Sequence, residues 1–223
     1  MRSPVEHYLQ EVHAACAADD TGELAAYIPE LALADPDWFG ICLATADGRV
    51  YEVGDTRTPF TIQSMSKPFA YGLALQDNGR ERLAEKVGVE PSGDAFNEIS
   101  LHPETGRPLN PMINAGAITS TSLVHGATVD ERFERLLSAF GAFAGRPLTV
   151  DDAVFSSERA TGHRNRAIGH MLRTFDILTE APEGALDVYF RQCSVQVTCR
   201  DVSLMAATAG QPRCAARHRP ARA

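Results

Sequence analysis

Residues 38–70 read "WFGICLATADGRVYEVGDTRTPFTIQSMSKPFA". Two apolar runs flank Asp47-Gly48, a dipeptide suited to a tight hairpin because its glycine tolerates positive φ. The first half of the stretch therefore predicts two antiparallel strands, and "PFTIQ" (59–63) predicts a third. After Ser64 the apolar spacing becomes helical. "KPFAYGLALQDNG" (67–79) ends at Asn78-Gly79, a helix-termination signal. Proline is tolerated only in the first turn of a helix, where its missing N–H has no partner to lose. Pro68 thus pins the helix start to about 64–68.

That start carries a serine and a lysine three residues apart, Ser64 and Lys67. Lysine is scarce here: only Lys67 and Lys86 occur, against nineteen arginines. One helical turn places the two side chains on the same side. The helix N-terminus favours negative charge developing on a serine oxygen. A partly desolvated lysine can become neutral and accept the serine proton, which an arginine cannot do. A serine N-cap followed by a solvated first-turn lysine would show the same spacing, so this pair alone leaves both readings open.

Working outward, helices are predicted over about 5–18 and 22–33, the second interrupted near Pro29. Others are predicted over about 111–124, 129–143, 164–173, 184–192 and 199–208. Strands come first and a long helical block follows, which predicts an α+β architecture with a small antiparallel sheet beside a helical region. Residues 1–208 read as one domain, with its sheet part over about 1–63 and its helical part over about 64–208. Residues 209–223 read as a basic tail, expected to be disordered.

Composition narrows the function. The net charge of the 223 residues is −8. Four arginines and no acid fall in 211–223, so the preceding 210 residues carry −12. That argues against nucleic-acid binding. The five cysteines are scattered with no CxxC, which suits reduced thiols in a cytoplasmic protein better than a zinc cluster or disulfide framework. No apolar run approaches ~18 residues, so no membrane span is expected, and the N-terminus lacks the apolar core of a signal peptide.

Three further segments carry polar residues within apolar helical text. "NPMINAGAITS" contains Asn114 beside small residues, "FSSERATGHRNRAIGHML" contains Glu158 and Asn165, and "LDVYFRQCSVQVT" contains Tyr189. Each has a plain structural explanation. Asn114 can cap a helix, Glu158 can pair with Arg159 or Arg164, and Tyr189 can be a core residue with its hydroxyl satisfied.

Taken in order, "YIPELA", "DGRVYEVGDTRTPFTIQSMSKPF", "VGVEPSGDAFN", "NPMINAGAI", "SERATGHRNRAIG" and "VYFRQCSVQVTCRDVSLMAAT" resemble the serine-dependent glutaminases of the β-lactamase/transpeptidase-like fold. The resemblance runs from about Tyr27 to Thr208. It implies that Ser64 is the nucleophile and Lys67 its proton acceptor. It further implies that Tyr27, Ser64, Asn114, Glu158, Asn165 and Tyr189 contact the substrate. Glu158 and Asn165 would bind the amino-acid end of L-glutamine, a pairing that fits a carboxylate to an ammonium and an amide to a carboxylate. The implied reaction is hydrolysis of the glutamine side-chain amide to glutamate and ammonia through a γ-glutamyl ester. No metal or organic cofactor is implied, and family members are usually homotetramers.

Past residue 208 the resemblance stops. The family continues with further strands of the sheet, a second catalytic tyrosine and a strand that supplies an oxyanion donor. This chain reads "AGQPRCAARHRPARA". The expectation is a C-terminally truncated member whose sheet lacks its C-terminal strands; a natural basic tail and a reading-frame change both remain open as its origin. Loss of one oxyanion donor typically costs ~10²–10³ in rate, so weak activity or none is expected. Two alternatives stand beside the glutaminase reading: a non-catalytic remnant that binds glutamine or co-assembles, and a β-lactam-binding acyltransferase sharing only the Ser-x-x-Lys pair.

Overall fold

The computed structural model describes residues 3–93, 95 and 98–211. Asp94, Phe96 and Asn97 of the "EPSGDAFN" motif, and the expected tail from 212 onward, lie outside the described residues. Helix α1 spans Pro4–Cys16. Ser3 caps it by accepting from the Glu6 N–H while Glu6 accepts from the Ser3 N–H, a reciprocal box that satisfies two orphan donors. Strands β1 (Gly40–Ala44) and β2 (Val50–Gly54) form the expected hairpin, in register from Gly40 opposite Gly54 to Ala44 opposite Val50. Gly48 takes φ of 89° in its turn, as the Asp-Gly dipeptide requires.

The third strand forms but joins different partners. β3 (Phe60–Thr61) does not extend the hairpin. It pairs with β5 (Val195–Val197), which also pairs with β4 (Thr149–Val150), giving a second small antiparallel sheet ordered β3-β5-β4. Strands β4 and β5 lie inside the stretch expected to be helical. Two or three residues are too few to show an alternating pattern, so nothing local marked them.

Helix α2 spans Lys67–Lys86 and follows a 3-10 turn over Gln63–Ser66. Pro68 sits in its first turn, as expected. The expected stop at Gly79 is a break rather than an end: Gly79 has φ of 78° and the helix resumes. The helix expected over 22–33 is not formed. Only Pro29–Leu33 make a 3-10 turn, and Ile28 is extended (φ −123°, ψ 122°). A residue before proline is pushed out of the helical region, which explains the failure. That extended backbone buries Ile28 and leaves Tyr27 67% exposed.

The remaining helices are α3 (Asn114–Ser122), α4 (Val129–Ala144), α5 (Asp152–Thr161), α6 (His163–Thr174), α7 (Pro182–Cys193) and α8 (Cys199–Ala209). Of these, α5 was not anticipated. Its start is set by Asp151, whose side chain accepts from the Ala153 and Val154 N–H groups. Two apolar clusters form the core. One gathers Phe69, Leu73, Leu136, Phe140, Val195 and Met205; the other gathers Ile118, Ile168, Leu172, Leu186 and Phe190. Helix α7 contributes to both, through Val188 in the first and Leu186 and Phe190 in the second. It is therefore buried nearly all round, and it holds the site from behind.

Candidate active site

Tyr27, Gln63, Ser64, Asn114, Glu158, Asn165, Tyr189 and Cys193 line one pocket of about 330 Å3, together with Ile28, Thr161, Gly162 and Arg164. Every substrate-contact candidate read from the sequence thus faces the same cavity. Lys67, which does not line it, is bonded directly to Asn114 at its wall.

Local chemistry explains how each group arrives. Ser64 is exposed, on the 3-10 turn that feeds α2. Asn114 opens α3, a helix whose small residues let it run deep: Asn114 through Thr121 are all buried. Gly116 is required there, because a Cβ would sit 1.9 Å from the Asn110 carbonyl oxygen. The Thr119 and Ser120 hydroxyls donate back to the Ala115 and Gly116 carbonyls, each at 2.8 Å, so this polar helix is satisfied without water. Gly162 separates α5 from α6. A Cβ on it would meet the Phe190 ring at 2.5 Å and the Glu158 carbonyl oxygen at 2.7 Å. This sharp junction points both Glu158 and Asn165 into the pocket.

Lys67 is buried at 2% exposure. Its Nζ donates to the Met112 carbonyl oxygen at 2.9 Å and to Asn114 Oδ1 at 2.8 Å. Asn114 Nδ2 in turn donates to Asn165 Oδ1 at 3.0 Å. Burial disfavours the ammonium and lowers the Lys67 pKa to about 8. Lys67, Asn114 and Asn165 all lie in first helical turns, of α2, α3 and α6. Side-chain hydrogen bonds thus link the first turns of these three helices through Asn114, which lines the pocket.

Glu158 is buried, and that burial raises its carboxyl pKa to about 7, against a smaller lowering by its hydrogen bond with the Gln63 side chain. Burial likewise raises the Tyr189 hydroxyl well above its usual range and pushes the Cys193 thiol up to about 12. Gln63 and Cys193 were not singled out in the sequence, and Arg164 was read only as a possible partner of Glu158. Cys193 had a findable signal, since it lies four residues after Tyr189 on the same face of α7. Arg164 at the rim pairs with Glu98 at 2.9 Å, a contact across 66 positions that no local pattern marks. Among the described residues, no group of three or more histidine, cysteine or acidic side chains could hold a metal ion. No described helix is long and apolar enough to cross a membrane.

An α+β fold with a serine lining a pocket and a buried lysine bonded to a residue of its wall defines a class of protein. The comparisons name the family within that class. The glutaminase family model matches residues 22–219, and the chain belongs to that family. It is 53% identical over 207 residues to Glutaminase 2 of Bradyrhizobium diazoefficiens, covering 93% of this chain and 33% of the relative. It is 50% identical over 206 residues to the glutaminase of Trichormus variabilis, covering 92% of this chain and 62% of the relative. The crystal structure of Mglu in its native form superposes with a TM-score of 0.88 at 45% identity, covering 93% of this chain and 50% of that one. The fold is thus the β-lactamase-like fold of the glutaminases. The chain spans between a third and under two thirds of the length of the two curated relatives.

Proposed function

We propose that this chain is a serine amidohydrolase that converts L-glutamine to L-glutamate and ammonia. The observation that carries the reading is Lys67. It is a buried amine with lowered pKa, held by Met112 and Asn114 one turn from a pocket-facing serine. Mglu, which is 45% identical, has also been solved in a glutamate form, which supports glutamate or its amide as the ligand.

In the first half-reaction, Ser64 Oγ attacks the side-chain amide carbon of glutamine and its proton passes to neutral Lys67 Nζ. That amine donates to two carbonyl oxygens, and in its neutral form the lone pair is the proton acceptor. The tetrahedral intermediate collapses, the proton moves from Lys67 to the departing nitrogen, and ammonia leaves. A γ-glutamyl ester remains on Ser64. Water then attacks the ester carbon, gives a proton back through Lys67 to Ser64 Oγ, and frees glutamate. Glu158 pairs with the α-ammonium, and that pairing keeps its carboxylate ionised. Asn165 and Asn114 hold the amino-acid end, and Tyr27 and Tyr189 close the sides. No cofactor takes part in these steps. Homo-oligomerisation, a cytoplasmic location and the absence of nucleic-acid or membrane partners belong to the same proposal; sedimentation of the purified chain tests the first.

Ammonia release from L-glutamine, compared with the Ser64→Ala variant, tests the mechanism. Release lost on substitution is the expected outcome, and equal signals from the two proteins overturn it. Thermal stabilisation by glutamine without ammonia release would instead mark a binding protein.

A further inference from the structure

Gln63, immediately before the nucleophile, takes φ of 49°. Only two non-glycine residues among those described have positive φ, and the other is Asp176, in a turn. For a residue such as glutamine this conformation costs energy unless its surroundings enforce it. The surroundings are a buried hydrogen-bonded chain. Ser66 Oγ donates to the Gln63 carbonyl oxygen at 2.7 Å. Gln192 Nε2 donates to Ser66 Oγ at 2.9 Å, and Gln192 Oε1 accepts from Thr121 Oγ1 at 2.9 Å. Ser66, Gln192 and Thr121 are each 0% exposed, and Gln192 is among the largest wholly buried side chains. Burying a whole glutamine amide is costly unless its bonds are made, and this one spends them on the turn that carries the nucleophile.

We infer that Gln192, Ser66 and Thr121 form a positioning relay that holds Gln63 in its left-handed conformation, so that Ser64 is presented to the pocket within reach of Lys67. The relay runs from the bodies of α3 and α7 to the 3-10 turn. It therefore ties the nucleophile to the helices that carry Asn114 and Tyr189. None of the three relay residues lines the pocket. They act through the Gln63 backbone and touch no substrate. This inference rests on the serine mechanism proposed above.

A double-mutant cycle between positions 63 and 66 tests it. Ser66→Ala removes the bond to the Gln63 carbonyl. It is expected to lower kcat about tenfold or more, with the KM for glutamine within about twofold, because misplacing the nucleophile costs rate rather than affinity. In a Gln63→Gly background, glycine adopts positive φ without enforcement, so the same Ser66→Ala change is expected to cost less than about twofold. Equal costs in the two backgrounds would mean that Ser66 only fills space and would overturn the relay. Gln192→Met, which keeps volume but removes both amide bonds, is expected to reproduce the kcat loss. If the wild-type chain releases no ammonia, as loss of an oxyanion donor would also cause, kcat does not report on the relay. The relay is then read from urea unfolding of the same four proteins: it stands if Ser66→Ala destabilises the glutamine background less than the glycine background, because losing the bond lets Gln63 relieve its strain while glycine has none to relieve, and falls if the two losses are equal.

Discussion

Lys67 is a charged residue type placed where charge is disfavoured, and its behaviour follows from that placement. With a pKa of about 8, only about a tenth of it is neutral at pH 7. In the proposed mechanism Glu158 binds an ammonium as a carboxylate, and burial raises its pKa to about 7. Both groups work deprotonated, so kcat/KM for glutamine is expected to rise between about pH 6 and 9 and then level off, without an acidic optimum. A pH–rate profile checks this, and a profile flat through pH 8 would exclude Lys67 as the base. Lys67→Arg keeps a positive charge but cannot give up its proton. It is expected to lower kcat by ~10²–10⁴, the usual contribution of a general base. An arginine variant of near-normal rate would show that charge alone is what position 67 supplies.

The helices position the site because small residues let them approach. Along α3 the text "NAGA" places Gly116 against the Asn110 carbonyl, with no room for a methyl group. Gly116→Ala must move backbone rather than a flexible side chain. It is expected to destabilise the fold by about 1–3 kcal/mol, or more, read as a shift in the urea midpoint. Because Asn114 opens the same helix, glutamine binding should weaken in that variant as well; a fully stable Gly116→Ala protein would show that α3 can slide. The helix start at Pro68 and the hairpin turn at Gly48 were legible in the sequence, since each depends on one residue's backbone preference; Gly79 was read as the end of a helix that it only interrupts. The stretch over 22–33 was misread because its apolar spacing resembled a helix, while the pre-proline backbone at Ile28 overrode it. The partner of β3 was not legible, since it lies more than 130 positions away in a three-residue strand.

The whole molecule carries a pH-dependent cost for its site. Glu158 titrates near 7 in the fold and near 4.5 in the unfolded chain, so the folded state is penalised where the carboxylate must be charged. That penalty is fully present above about pH 7 and is relieved as pH falls from 7 towards 4.5. Glu158→Gln removes it. The variant is expected to be more stable than wild type by about 3 kcal/mol at pH 8, with the difference closing by about pH 4.5. Chemical denaturation at the two pH values measures this. A gap that stays constant with pH would mean that Glu158 is not buried as a neutral acid. Activity should be lost in the same variant, a trade of function for stability common at binding sites.

The sequence by itself determined the local features. A Ser-x-x-Lys pair followed by proline at a helix start, a hairpin turn, and a set of ordered motifs were enough for the α+β class and the family. Those features depend on neighbours within one or two turns, which a linear text records. Only the tertiary structure decided that Lys67 is buried and bonded to Asn114, 47 positions on, and that Cys193 and Gln63 share the pocket. It alone revealed that Gln192, 126 positions from Ser66, donates to it within the turn that carries Ser64. Burial and long-range hydrogen bonds arise from how helices stack, and a lysine's ability to act as a base depends on that burial.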